Sequence, residues 1–360
     1  MPRLPPSLLR RAHRTSPHLA ALLPVCRDLG SARNELRWLR EYVVKKFSLP
    51  TPTHKTQVGR KPGALEQDLL LGHLCRKRGA GVPLQYILGT QPFGDLEIKC
   101  RPGVLIPRPE TEAWVLRVAD IVRGDVERGK GLRVLDLCTG SGCIALLMYS
   151  LLRRRFPGLS VRGVDVETRA LALSRENLAY NTRLGLLPNV GEGVGFERAD
   201  IFSAEWLSSL LERYELGKGV GAVDILVSNP PYISTRGFNH DTERSVRKYE
   251  PKLALVPAPS ANAVLYPECQ PEDIFYARIL DVAKALRSRF IALEVGDLAQ
   301  GLRVVQMART RFESAEIEIW RDWPDMSAND DEPENAKVDG VEVLIRGSGH
   351  GRAVFIRRSV

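Results

Sequence analysis

Cysteine pairs are missing from this chain. Six cysteines (Cys26, Cys75, Cys100, Cys138, Cys143 and Cys269) are scattered over 360 residues without a Cys-x-x-Cys pair. Neither a zinc site nor a disulfide framework is indicated, which fits a reducing compartment. The six histidines are equally dispersed, none is spaced with a carboxylate as metal ligands are, and no metal is expected. Long hydrophobic runs are missing too. The longest candidate near the start, "LAALLPV" from Leu19, is far too short to cross a bilayer, so a membrane-spanning protein is excluded. There is no internal repeat. With 44% apolar and 26% charged residues the chain is neither disordered by composition nor fibrous. Its length exceeds one ordinary core and suits two domains.

Acidic residues are scarce at the start. Residues 1–90 hold sixteen Lys/Arg against five Asp/Glu, whereas 91–360 hold thirty-six against thirty-eight. The overall charge of +9 therefore belongs to the first quarter, as for a targeting segment or an acidic partner. Residues 1–27 have five Arg and no acid, the composition of a mitochondrial transit segment, although five prolines there work against an amphipathic helix.

From Ser31, a plausible N-cap, Leu36, Leu39, Val43 and Phe47 recur at helical spacing. A second helix is expected over 64–78 with Leu65, Leu69 and Leu74 inward, after a Pro/Gly/Lys loop "LPTPTHKTQVGRKPG". Residues 28–94 thus read as a small helical domain. Residues 95–106 read as a linking β-hairpin that turns at Arg101-Pro102-Gly103. Beyond 107 the runs "RVLDLC", "VRGVDV", "AVDILVS" and "RFIALEV" alternate with helical stretches such as 168–184 and 271–288. That alternation predicts a doubly wound α/β sheet. An antiparallel hairpin of 341–345 with 352–357 is expected to close it, after an acidic loop over 321–340.

Strand "RVLDLC" runs straight into "TGSG" and an apolar helix. In open α/β sheets ligands bind beyond the carboxyl ends of the strands. Gly140 and Gly142 allow close backbone approach, and the helix N-terminus offers N–H groups to an anion. Asp165 ends the next strand, where a carboxylate accepts from both hydroxyls of a ribose. Asp200 and Phe202 end the third, at the expected edge and face of an adenine. Asp136, inside its strand, is expected to orient the glycine loop. "GSGCIA" also satisfies a dinucleotide pattern, so a nicotinamide enzyme stays open at this point.

The tetrapeptide Asn229-Pro230-Pro231-Tyr232 follows "AVDILVS". Two prolines remove two backbone donors and fix φ, leaving carbonyls and the Asn side chain as acceptors. A planar NH2 group suits them, with Asn229 Oδ1 and the Pro230 carbonyl each taking one N–H while Tyr232 lies on the flat face. An amide nitrogen is a poor nucleophile because its lone pair is delocalised. Holding both N–H bonds aims that lone pair at an electrophilic methyl, and positioning of this kind is worth up to about 7–11 kcal/mol. Adenine, guanine and glutamine all carry such a group.

The stretches "PLQYILGTQPFGDLEIKCRPGVLIPRPETE", "VLDLCTGSGCIAL" and "NPPYI", with "YEPKLAL", "LEVGDLAQ" and "GRAVFIRR", resemble the HemK/PrmC family of protein-(glutamine-N5) methyltransferases over roughly residues 30–360. The resemblance implies a Rossmann-like class I methyltransferase that uses S-adenosylmethionine. Its substrate would be the Gly-Gly-Gln glutamine of a mitochondrial class I peptide-chain release factor in the matrix. It implies donor binding by Cys138, Thr139, Gly140, Ser141, Gly142, Asp165, Asp200, Ile201 and Asn229. Asn229, Pro230, Pro231 and Tyr232 would grip the glutamine, with Asn229, Pro230 and Tyr232 catalytic. Bacterial members usually have Gly in place of Cys138 and often an aromatic in place of Ile201. Glu294 reads as structural, and Pro109 with Glu110 and Glu112 as a well-made helix start; the resemblance implies in addition that this segment helps close the cofactor pocket. A nucleic-acid amino-methyltransferase is the rival, and the near-neutral catalytic half speaks against it. A basic RNA-binding module leaves the α/β half unexplained.

Overall fold

The computed structural model describes residues 3–48, 63–188, 190–213, 223–258 and 265–358. The chain divides into two units, Met1–Thr90 with Glu243–Tyr249, and Gln91–Thr242 with Glu250–Val360.

The first unit is helical: α1 (Pro6–Thr15), α2 (Pro17–Cys26), α3 (Leu29–Ser48), α4 (Ala64–Gly79) and α5 (Leu84–Leu88). Residues 1–27, read from composition as a segment apart, supply two of these helices. The prolines start helices: Pro6 and Pro17 sit in first turns, and the Ser16 hydroxyl accepts from His18 N. Among the described residues only Pro24 lies inside a helix, in its last turn. Leu19, Leu22 and Leu23 pack with Leu36, Leu39, Val43, Leu71, Leu74 and Cys75 in one core. The cap of α3 is Asp28, whose Oδ1 accepts from Ser31 N at 2.8 Å, and not Ser31 itself. In α4 Leu74 is inward as expected, but Leu65 and Leu69 are exposed, and Leu71 and Cys75 take their place. The expected loop at 49–62 lies outside the described residues.

In the second unit a hairpin, β1 (Thr90–Phe93) and β2 (Leu96–Lys99), turns at Gly94 rather than at Arg101-Pro102-Gly103. Two buried asparagines replace a third strand: Asn181 and Asn177 accept from Glu97 N (3.0 Å) and Lys99 N (2.7 Å). Then follow α6 (Pro109–Asp125), β3 (Arg133–Leu137), α7 (Cys143–Leu152), β4 (Ser160–Asp165), α8 (Thr168–Arg183), β5 (Val194–Arg198), α9 (Ala204–Arg213), β6 (Ile225–Ser228) and α10 (Thr235–His240). Helix α11 (Arg244–Tyr249) belongs to the first unit. The rest comprises α12 (Ile274–Ala285), β7 (Phe290–Glu294), α13 (Leu298–Arg309), β8 (Glu316–Trp323), β9 (Asn335–Val338), β10 (Val341–Arg346) and β11 (Ser348–Arg357).

The large sheet has the order β5-β4-β3-β6-β7-β11-β8-β10-β9. Its first five strands are parallel, as expected for a doubly wound sheet, and the order reverses about β3. The antiparallel end is present with different partners. β10 forms its hairpin with β9, while β11 runs antiparallel between β7 and β8. The segment read as an acidic loop over 321–340 contains the end of β8 and all of β9, and Arg321 and Asp322 are buried.

Candidate active site

The parallel register builds the site. Leu137 pairs with both Val164 and Ser228, and Ser228 pairs with Leu293. The next residue on each strand is therefore Cys138, Asp165, Asn229 or Glu294, four polar side chains along one carboxyl edge of the sheet. The crevice at the reversal of strand order lies between the ends of β3 and β6, where such folds bind ligands.

The loop after β3 is held from beneath. Asp136 Oδ2 accepts from Thr139 Oγ1 (2.5 Å) and from Ala145 N (3.2 Å) in the first turn of α7, which has no side-chain cap of its own. Asp136 therefore orients the glycine loop, as its place in the strand suggested. Burial pushes its carboxyl up to about 7, against those two hydrogen bonds. Asp165 Oδ2 accepts from Gly140 N (2.9 Å) and Oδ1 from Glu167 N (2.9 Å); burial raises its carboxyl and these bonds oppose the rise. Asn177 Nδ2 donates to the Ser141 carbonyl at 2.9 Å and so ties the same loop to α8.

A cavity of about 370 Å³ opens above these groups. Cys138, Thr139, Gly140, Ser141, Asp165, Asp200, Ile201, Asn229 and Pro231 line it, whereas Gly142, Pro230 and Tyr232 do not. Gly142 has a different reason to be glycine. Its φ is 79°, and a Cβ there would stand 2.9 Å from Ser174 Cβ and 3.0 Å from the Phe196 ring, so packing and not ligand approach requires it. Gly140, at φ 55°, lines the cavity, and a Cβ there would meet only the Cys138 carbonyl at 3.9 Å. Phe202 is turned away from the cavity and meets Phe275 edge-on at 5.0 Å, and it is Phe275 that lines the wall. No local pattern around Phe275 marked it, because α12 reads as an ordinary amphipathic helix.

The opposite wall is the segment from Gly103 to Arg108. Glu250, buried, accepts from Ile106 N (3.1 Å) and from Arg108 Nη2 (2.5 Å), which holds this segment over the cavity. Pro109 begins α6, with Glu110 and Glu112 in its first turn.

Among the described residues, neither the Asn229 side chain nor the Pro230 carbonyl has a hydrogen-bond partner. The Tyr232 phenol donates to Glu294 Oε1 at 3.2 Å. Burial and the neighbouring carboxylate push that phenol up, so it remains a protonated donor. The cavity can take an elongated ligand with apolar surfaces and a few polar groups. The adjoining Asn-Pro-Pro-Tyr turn can take an N–H donor.

No protein-family model matches the chain. A mitochondrial MRF1 N(5)-glutamine methyltransferase of Saccharomyces cerevisiae is 37% identical over 71% of this chain and 68% of its own. A probable one of Schizosaccharomyces pombe is 38% identical over 73% and 76%. The release factor glutamine methyltransferase of Bifidobacterium longum is 32% identical over 74% and 81%. Among solved structures, the N-terminal domain of human METTL16 is similar at a TM-score of 0.44 with 13% identity, over 90% of this chain and 93% of that one. A strand order that reverses about β3, a glycine loop fastened to Asp165 and an Asn-Pro-Pro-Tyr turn at the next strand end accompany those identities, and the chain belongs to the HemK/PrmC family of release factor glutamine methyltransferases.

Proposed function

We propose that this enzyme transfers a methyl group from S-adenosylmethionine to the side-chain amide nitrogen of the glutamine in the Gly-Gly-Gln motif of a mitochondrial class I peptide-chain release factor, in the matrix. The observation that carries the reading is the common edge on which Asn229 stands beside both Cys138 and Glu294, at the mouth of the cavity. The two fungal relatives named for a mitochondrial release factor support the substrate and the compartment.

The residues present fit S-adenosylmethionine. Asp165 keeps unused lone pairs for ribose hydroxyls, Ile201 and Phe275 offer an apolar slot to an adenine, and Gly140 leaves room beside the loop. Cys138, Thr139, Ser141 and Asp200 complete that wall, and Gly142 shapes it from behind. When bound, the donor supplies an electrophilic methyl on a sulfonium.

The chain's own work is to hold the acceptor. Asn229 Oδ1 and the Pro230 carbonyl each accept one N–H of the glutamine amide, which fixes the plane of its NH2 group and aims the lone pair at the cavity. Pro231 stiffens the turn, and Tyr232 covers the flat face of the amide. Acceptors fixed beforehand stabilise the positive charge as it develops on nitrogen, and they need no reorganisation at that moment. The nitrogen becomes acidic only as the new bond forms, so its proton leaves to solvent without a strong base nearby.

Incubation of the protein with donor and release factor, followed by mass spectrometry of the Gly-Gly-Gln peptide, tests the reading. One added methyl on the glutamine, lost in Asn229→Ala, is expected. An unmodified peptide, or label in nucleic acid instead, overturns it.

A further inference from the structure

Tyr232 is held at both ends. Its phenol donates to Glu294 Oε1 (3.2 Å), and its carbonyl accepts from Gln300 Nε2 (3.1 Å). Gln300 is fixed in turn, since Nε2 also donates to Asp273 Oδ1 (2.9 Å) and Oε1 accepts from Gly296 N (2.8 Å). On the phenol side, Glu294 Oε2 accepts from Thr111 Oγ1 (2.6 Å) and Trp114 Nε1 (2.9 Å), both on α6. Three donors from two directions thus converge on one carboxylate that is only 2% exposed.

This carboxylate is costly for the fold. It ends a strand, β7, that is otherwise apolar and wholly buried. The nearby arginines are engaged elsewhere, Arg352 with Asp322 (2.7 Å) and Arg108 with Glu250 (2.5 Å). A buried carboxylate without an ion-pair partner of its own is poor value for stability, where a leucine or methionine would pack without desolvation cost. What the carboxylate does provide is direction. Burial raises this carboxyl, and the hydrogen bonds from Thr111, Trp114 and Tyr232 oppose the rise by favouring the ionised form, which only accepts; all three neighbours then point their protons at it, and the Tyr232 ring has one setting. Thr111 also lines the cavity. Two hydrogen bonds therefore connect the cavity wall to the tyrosine beside the acceptor site.

We propose that Glu294 is a positioning residue for methyl transfer, which locks the Tyr232 ring to the cavity wall through Thr111 and Trp114 so that the amide-gripping turn is already set before substrate arrives. This rests on the glutamine-methylation reading and deepens it. Ordering the ring during folding removes that cost from the binding step, and a displacement of about 1 Å at such a site costs on the order of 100-fold in rate.

Glu294→Gln is the informative variant. It preserves shape and an oxygen for Thr111 and Trp114, and it presents an NH2 to the phenol where an acceptor stood. The expected result is a folded protein with donor affinity within threefold of wild type, KM for release factor within threefold, and kcat lowered at least tenfold. Tyr232→Phe removes the phenol, so the double variant is expected to be no slower than Tyr232→Phe alone, within twofold. Losses that multiply, or a Glu294→Gln enzyme with wild-type kcat, overturn the proposal. Thr111→Val, which deletes one donor and keeps the packing, repeats the cycle with a smaller loss if Glu294→Gln does not fold.

A second readout needs no substrate. The tyrosine ring doublet in the resonance Raman difference between wild type and Tyr232→Phe reports whether the phenol donates or accepts. That signature is expected to change in Glu294→Gln and in Thr111→Val. An unchanged signature overturns the lock whatever the enzyme methylates. A changed signature in a wild-type protein inactive on release factor leaves the lock standing and removes the substrate reading.

Discussion

The backbone N–H of Gly140 donates to Asp165 Oδ2 across 2.9 Å, so the glycine loop after β3 is fastened to the end of β4. The same carboxylate therefore shapes the loop and faces the cavity. Asp165→Ala removes both roles at once. Hydrogen bonds to a charged group contribute about 1.5–3 kcal/mol each, so donor affinity is expected to fall about 10- to 100-fold. Asp165→Asn keeps one acceptor and is expected to lie between. Calorimetric titration with S-adenosylmethionine checks this, and equal affinities in all three proteins would remove Asp165 from the donor site.

Asp136 makes stability depend on pH. In the folded chain burial raises its carboxyl to about 7, against about 4 in an unfolded chain. The fold thus binds the proton more tightly than the unfolded state does. That contribution is complete below about pH 4, fades as pH rises toward 7 and is gone above it. Asp136→Asn fixes the uncharged form and gives a polar nitrogen to the position of Oδ1, which has no partner among the described residues. The melting temperature of Asp136→Asn minus that of wild type is expected to grow from about pH 4 to about pH 7 and to level off above it. Parallel melting curves would mean that Asp136 stays charged throughout.

Much of this site was legible because parallel strands carry their chemistry at their ends. Once "RVLDLC", "VRGVDV" and "AVDILVS" read as neighbouring strands, Cys138, Asp165 and Asn229 had to come together. The pairing of β8 between β10 and β11 was not legible, because it joins segments through contacts that no local pattern encodes. The wrong face of α4 has a simpler cause. Leu69, Leu70 and Leu71 are consecutive: helical spacing forward from Leu65 selects the first of them, whereas spacing back from Leu74 and Cys75 selects the third, and the second set is the buried one. Gln300 and Asn177 escaped for another reason: a buried amide that supports a turn looks like any surface amide until its partners are seen.

Cys138 occupies left-handed backbone, at φ 60°, at the very start of the glycine loop. Such a conformation costs an L-residue about 1–2 kcal/mol, while glycine adds about 0.5–1 kcal/mol of unfolded-state entropy. Cys138→Gly is therefore expected to be within about 1 kcal/mol of wild type and to bind donor normally. Cys138→Val places a branched Cβ at positive φ against the cavity and is expected to lose more than about 2 kcal/mol and most donor affinity. Denaturant melts with and without donor measure both. A valine variant as stable as wild type would show that the backbone at 138 is not constrained.

Leu22 and Leu23 on α2 are fully buried against α3 and α4, within the very residues whose arginine content resembles a mitochondrial address. A segment that supplies core leucines cannot be removed without loss. Leu22→Ala is expected to cost about 2–5 kcal/mol, as for other buried leucines. A protein starting at residue 28 loses Leu19, Leu22 and Leu23 together and leaves Leu36, Leu39 and Leu74 facing water. It is expected to show rapid proteolysis confined to residues before 90, with the α/β unit intact. N-terminal sequencing of the imported protein is expected to find a start before Leu19. A mature chain that begins at 28 and resists protease as well as the full one would show that α1 and α2 contribute nothing to that core.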